Sequence, residues 1–102
     1  MKSLKKIKVI VMSKCIYLAT TKGCEACRIM ERILKQVKRD NVYTFSIQVI
    51  NYKLLPEFIR INVLLTDFPT LIFLENDIIK YHISGTISAK KLKEIIKDLH
   101  FN

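Results

Sequence analysis

The sequence predicts an α/β domain: one sheet with helices on both faces. Three observations carry that expectation. Apolar positions switch between strand-like runs and three- and four-residue helical steps, in the order strand, helix, strand, helix, strand, strand, helix. The chain has 102 residues, the size of one typical domain of about 100–150, so 1–102 read as a single unit with its core at about 15–99. Its composition is 50% hydrophobic and 26% charged, which supplies a core, and its two Gly and two Pro exclude collagen-like and low-complexity chains.

The elements follow in order. Residues 1–14 read as a strand or a helix, with Ile7–Met12 mostly apolar and β-branched. The basic start followed by an apolar stretch imitates a secretory leader, but Lys8 and Lys14 interrupt it. No run approaches the ~18 apolar residues of a spanning helix. A cytoplasmic location without a membrane span is therefore expected. Cys15–Ala19 reads as a short buried strand. From Cys24 the period changes: Ala26, Ile29, Met30, Ile33, Leu34 and Val37 line one helical face, opposite Arg28, Glu31, Arg32, Lys35 and Lys38. That helix is expected to end around Arg39-Asp40-Asn41.

Val42–Ile50 reads as the next strand, with Tyr43, Phe45, Ile47 and Val49 on one face. Pro56 opens a short helix over Pro56–Ile61, where its missing N–H does little harm. Leu71–Leu74 is a continuous apolar strand, Asn76-Asp77 a tight turn, and Ile78–Ser84 the return arm of a hairpin. Gly85 breaks that arm. Ser88 can cap a last helix whose apolar face is Leu92, Ile95, Ile96 and Leu99.

Eighteen Lys+Arg against nine Asp+Glu give a net charge of +9, which suits acidic partners. The positives are spread, with no block of five or six and no nucleic-acid motif. The three cysteines, Cys15, Cys24 and Cys27, cannot staple a fold as a disulfide framework. Zinc would need two further ligands, and His82 and His100 lack paired-ligand spacing, so no metal is expected. Cys15 reads as a small hydrophobe in a buried strand.

The chemistry-bearing feature is Gly23-Cys24-Glu25-Ala26-Cys27, at the step from strand to helix. Cys24 falls at the first helical turn, where unpaired backbone N–H groups and the positive dipole end favour an anion. Its sulfur should therefore ionise more readily than a free thiol of pKa about 8.5, with Lys22 and Arg28 flanking it. Cys27, three residues on, returns to the same side of the helix and can close a disulfide with Cys24. An attacking thiolate with a resolving neighbour is the minimum equipment for dithiol–disulfide exchange. A second feature, Asp67-Phe68-Pro69-Thr70, precedes the apolar strand. Proline at a strand's first residue loses no ladder hydrogen bond, and residues alone argue for a trans bond there. Asp67 reads as a substrate contact or as a turn residue.

These features together resemble the thioredoxins and thioredoxin-like proteins, from about Cys15 to Leu99. Gly-Cys-Glu-Ala-Cys is similar to the family's active-site turn, and Phe68-Pro69-Thr70 before Leu71–Leu74 is similar to its cis-proline loop. The resemblance implies a thioredoxin-like fold, a central mixed sheet with helices on both faces. It implies that Cys24 is the nucleophile, Cys27 the resolving thiol, and Pro69 a cis residue facing the disulfide. Phe68, Pro69 and Thr70 would bind substrate through backbone. From their places beside the two sulfurs, and not from the resemblance, Gly23, Glu25, Ala26 and Arg28 are expected to modulate the pair. The implied protein is a monomer with no cofactor beyond its Cys24–Cys27 disulfide. It would act on disulfide-containing proteins and draw electrons from a reductase or glutathione.

The chain departs from the family in three places. No Trp precedes the first cysteine, the middle dipeptide is Glu-Ala, and the strand Cys15–Thr20 has no acid matching the family's buried Asp. The departures leave open a glutaredoxin-like protein acting on glutathione mixed disulfides, and a non-enzymatic redox sensor or adaptor.

Overall fold

A computed structural model describes residues 13–102, so the Ile7–Met12 expectation lies outside the described residues. The elements are β1 (Lys14–Thr20), α1 (Glu25–Asn41), β2 (Ser46–Asn51), a 3-10 turn (Tyr52–Leu54), α2 (Glu57–Arg60), β3 (Thr70–Glu75), β4 (Ile78–Ser84) and α3 (Ala89–Asp98). Among the described residues, four strands form one mixed sheet in the order β2-β1-β3-β4. β1 runs parallel to β2, with Cys15 opposite Ser46. It runs antiparallel to β3, with Ala19 opposite Thr70, and β3 is antiparallel to β4.

Alternation along the two central strands divides the core. Ile16 and Leu18 of β1 and Leu71 and Phe73 of β3 pack with Met30 and Leu34 of α1 and Leu92 and Ile96 of α3. On the other face, Ala19, Ile72 and Leu74 meet Leu55, Ile59 and Val63 from the segment around α2. Central strands covered on both sides must be apolar at every position, which explains the unbroken Leu71–Leu74 run. Phe101, beyond α3, is fully buried against Phe73 and Phe45, with ring centroids 5.6 and 6.3 Å away. The sequence pattern stops at Leu99 because one aromatic residue after a helix has no period to reveal it.

One boundary moves. The strand expected over Val42–Ile50 begins only at Ser46. Residues 42–45 are taken up in ending α1: Val42 adopts the left-handed region, and Tyr43 N–H donates to Lys38 O at 3.2 Å. Phe45 still reaches the core and Ile47 packs at its edge. Val49, on the expected apolar face, is 37% exposed. The hairpin turn matches its sequence: Asn76 and Asp77 take φ of 54° and 65°, as a two-residue turn of the strands' own twist requires.

Candidate active site

β1 delivers the chain into a short loop, and α1 begins immediately after Cys24. Gly23 sits at φ 72°, a conformation that costs any residue with a Cβ. Cys24 is extended (φ −93°, ψ 102°) and occupies the N-cap, where its Sγ accepts from Cys27 N–H at 3.0 Å. Sulfur thus takes the place of the oxygen that usually satisfies a first-turn donor. Cys24 and Cys27 are joined by a disulfide across a Cα–Cα distance of 5.2 Å. The two ends differ in access, since Cys24 is half-buried while Cys27 is only 3% exposed.

The charges around the pair are arranged locally. The Arg28 guanidinium donates to Glu25 Oε1 at 2.6 Å, and both side chains are largely exposed. Arg28 therefore balances Glu25 before it balances a sulfur. Lys22 and Gly23 are exposed and Ala26 is half-buried. A hollow of about 210 Å³ runs beside the sulfurs, lined by Thr20, Thr21, Gly23, Cys24, Cys27, Arg28 and Glu31. Larger hollows lie elsewhere, one of about 460 Å³ between Lys38, Val42 and Ile47 near the far end of α1, so size does not mark the chemistry. Periodicity alone places Glu31 on the outer face of α1. Its four-residue spacing from Cys27 makes the two neighbours on the helix surface, and both line the hollow.

The proline loop lies at the same end of the sheet, because Thr70 pairs with Ala19 on one side and Ser84 on the other. The Phe68–Pro69 peptide bond is cis. Pro69 is buried, and its carbonyl accepts from Gly85 N–H at 2.7 Å. The Phe68 ring is half-buried against Tyr52, centroids 4.9 Å apart. Thr70 is fully buried: its hydroxyl donates to Asp67 O at 2.7 Å and, its only proton being used, receives from Ser84 Oγ at 3.0 Å. Asp67 is thus tied into the turn through its carbonyl, and its side chain is exposed.

Cys15 stands at the opposite end of β1 and is half-buried rather than buried. Burial pushes its thiol above the ordinary range and the nearby Asp77 charge adds to that, while a hydrogen bond with the Ser46 side chain opposes it. Among the described residues, no group of three or more His, Cys, Asp or Glu is placed to hold a metal ion. No helix among them is long and apolar enough to cross a membrane.

No family model and no curated protein matches the sequence. Solved structures do resemble it. Thioredoxin-2 of the malaria parasite, described as a component of its protein secretion machinery, superposes with TM-score 0.71 at 16% identity, over 87% of this chain and 85% of that one. The germline-specific thioredoxin Deadhead of Drosophila melanogaster gives TM-score 0.70 at 18% identity, over 95% and 90%. Chloroplastic thioredoxin z gives 0.68 at 17% identity, over 88% and 80%. At such identities the likeness is one of fold, and it agrees with the topology, the helix-start cysteine pair and the proline loop found in the chain itself. The protein has the thioredoxin-like fold, with a CxxC-spaced cysteine pair where β1 hands over to α1.

Proposed function

We propose that this protein is a thiol–disulfide oxidoreductase acting on protein disulfides. The observation that carries the reading is the asymmetry of the pair: an accessible sulfur capping a helix, bonded to a buried sulfur one turn later. A helix start stabilises a thiolate at Cys24 once the pair is reduced. That thiolate attacks one sulfur of a substrate disulfide, forming a mixed disulfide, and the other substrate sulfur leaves as a thiolate and takes up a proton. Cys27, deprotonated, then attacks Cys24 Sγ. The Cys24–Cys27 bond forms, the bond to substrate breaks, and two electrons have passed from the dithiol to the substrate. A donor dithiol or glutathione restores the reduced pair, and no further cofactor enters this scheme. The backbone around Phe68 and Pro69, at the same end of the sheet, is the proposed docking edge for an extended substrate segment. A monomer in the reducing cytoplasm is the setting proposed, which suits a chain with a half-buried free thiol at Cys15.

The test is a pair of variants with a disulfide-bonded protein as substrate. Cys24→Ser abolishes exchange, whereas Cys27→Ser accumulates a mixed disulfide through Cys24 that a reductant reverses. Trapping with the two roles exchanged refutes the assignment. Turnover confined to glutathione mixed disulfides moves the substrate class, and complete inactivity of the wild-type protein returns it to an adaptor.

A further inference from the structure

Within the exchange reading, the second step makes a demand that the first does not. Cys24 sits at an open helix start, but Cys27 is enclosed, and burial disfavours the charged form of a thiol. Cys27 must nevertheless lose a proton before it attacks. β1 supplies no acceptor, since its residues facing α1, Ile16 and Leu18, are apolar and fully buried. The hollow beside the sulfurs does supply one. Of the described residues that line it, Glu31 alone carries a carboxylate. It stands four residues after Cys27, and helical side chains lean toward the N-terminus, which carries it back over the turn that holds Cys27. Lys35 Nζ holds Oε2 at 2.7 Å, and Oε1 makes no hydrogen bond to any described residue. Arg28, the other charged group lining the hollow, is engaged by Glu25.

We propose that Glu31 is the proton acceptor for Cys27 in the resolving step, reached across the hollow directly or through one water. The Cys27 Sγ–H bond breaks and its proton passes to the Glu31 carboxylate. The electron pair left on sulfur forms the bond to Cys24 Sγ, and the substrate sulfur departs with the pair from the broken mixed disulfide. Glu31 then returns the proton to solvent or to the departing thiolate.

Stopped-flow reaction of the reduced protein with one equivalent of 5,5′-dithiobis(2-nitrobenzoate) separates the steps. The first thionitrobenzoate is released by Cys24 attack and the second by Cys27 resolution. Cys27→Ser identifies the phases by losing the second. Glu31→Gln should slow the second phase about tenfold near neutral pH and move its pH midpoint upward, below the ~100–10,000-fold of a fully enclosed base because the hollow is open. The first phase should stay close to wild type, and Glu31→Asp should restore much of the second. An unchanged second phase in Glu31→Gln, or equal slowing of both phases, overturns the proposal. A wild-type protein with no Cys24-dependent first phase sinks the exchange reading and this inference together, whereas a normal first phase with an insensitive second sinks this inference alone.

Discussion

Val42 ends α1 in the left-handed region, at φ 54° and ψ 41°, with its side chain 82% exposed. A β-branched residue gains nothing there from burial to offset a cost of about 1–2 kcal/mol. Val42→Gly should therefore stabilise the protein by about 0.5–1 kcal/mol, the remainder being lost to the freer unfolded chain. A urea midpoint that is unchanged or lower in the variant contradicts this. Gly23 makes the opposite case. An added Cβ meets nothing within 4 Å, so the cost of Gly23→Ala is purely that of φ 72° and should reach about 1 kcal/mol of stability. Gly23→Asn should cost less, because Asn enters this region more readily. Equal losses for Ala and Asn would point to some other strain.

Cys15 gives the pH dependence. Its thiol is raised by burial, with the Asp77 charge adding, so the folded state holds the proton more tightly than the unfolded chain does. That preference contributes fully below the unfolded value and is lost as pH rises from about 8.5 upward through the folded value. Stability should fall more steeply between about pH 8 and 10 in the wild-type protein than in Cys15→Ala. Parallel slopes in chemical denaturation at several pH values would remove Cys15 as the cause. Neither Val42 nor the Cys15 environment was legible in the sequence. Val42 stood inside an expected strand, and the Cys15 thiol feels Ser46 and Asp77, which arrive from β2 and from the turn after β3.

At the scale of elements, α1 concentrates the chemistry in its first turn. The helix start and Lys22 favour a thiolate at Cys24, while Glu25 opposes it and is itself held by Arg28. Glu25→Gln should then act twice, removing a negative charge and releasing Arg28. The alkylation midpoint of reduced Cys24 with iodoacetamide should lie below about 8.5 and fall further, by a fraction of a unit, in the variant. Exposure of the pair keeps the change small. An upward shift would show that Arg28 reaches the sulfur only when Glu25 positions it. The helices were the most legible elements. α1 and α3 have Cys24 and Ser88 caps at their expected starts and apolar faces of clear period. The 3-10 turn at Tyr52–Leu54 was not legible, because three residues carry no periodicity.

Across the whole sequence the net charge is +9, yet the described charges beside the sulfurs are balanced. Lys22 and Arg28 are matched by Glu25 and Glu31 in the loop and first two turns of α1. At about 0.15 M salt, charges beyond roughly 8 Å are largely screened. The exchange rate with a neutral disulfide should change by less than about twofold between roughly 0.05 and 0.5 M salt, where steering by the whole +9 would lower the rate with an acidic substrate severalfold. A steep salt dependence with the neutral substrate would mean that distant lysines fold back over the site.

From the sequence alone came the order of elements, the single sheet with helices on both faces, and the placing of Cys24 and Cys27 at a helix start. These are local properties: a change of hydrophobic period, a glycine and a cysteine spacing are all read within a few residues. The tertiary structure decided what depends on residues far apart in the chain. It set Thr70 beside Ala19, bringing the proline loop to the cysteine end of the sheet. It buried Cys27 while leaving Cys24 accessible, enclosed Phe101, and turned Glu31 from a helix-surface residue into a wall of the hollow beside the sulfurs. Period assigns a residue to a face of its own helix, but only the packing of that helix on the sheet decides what the edge of the face meets.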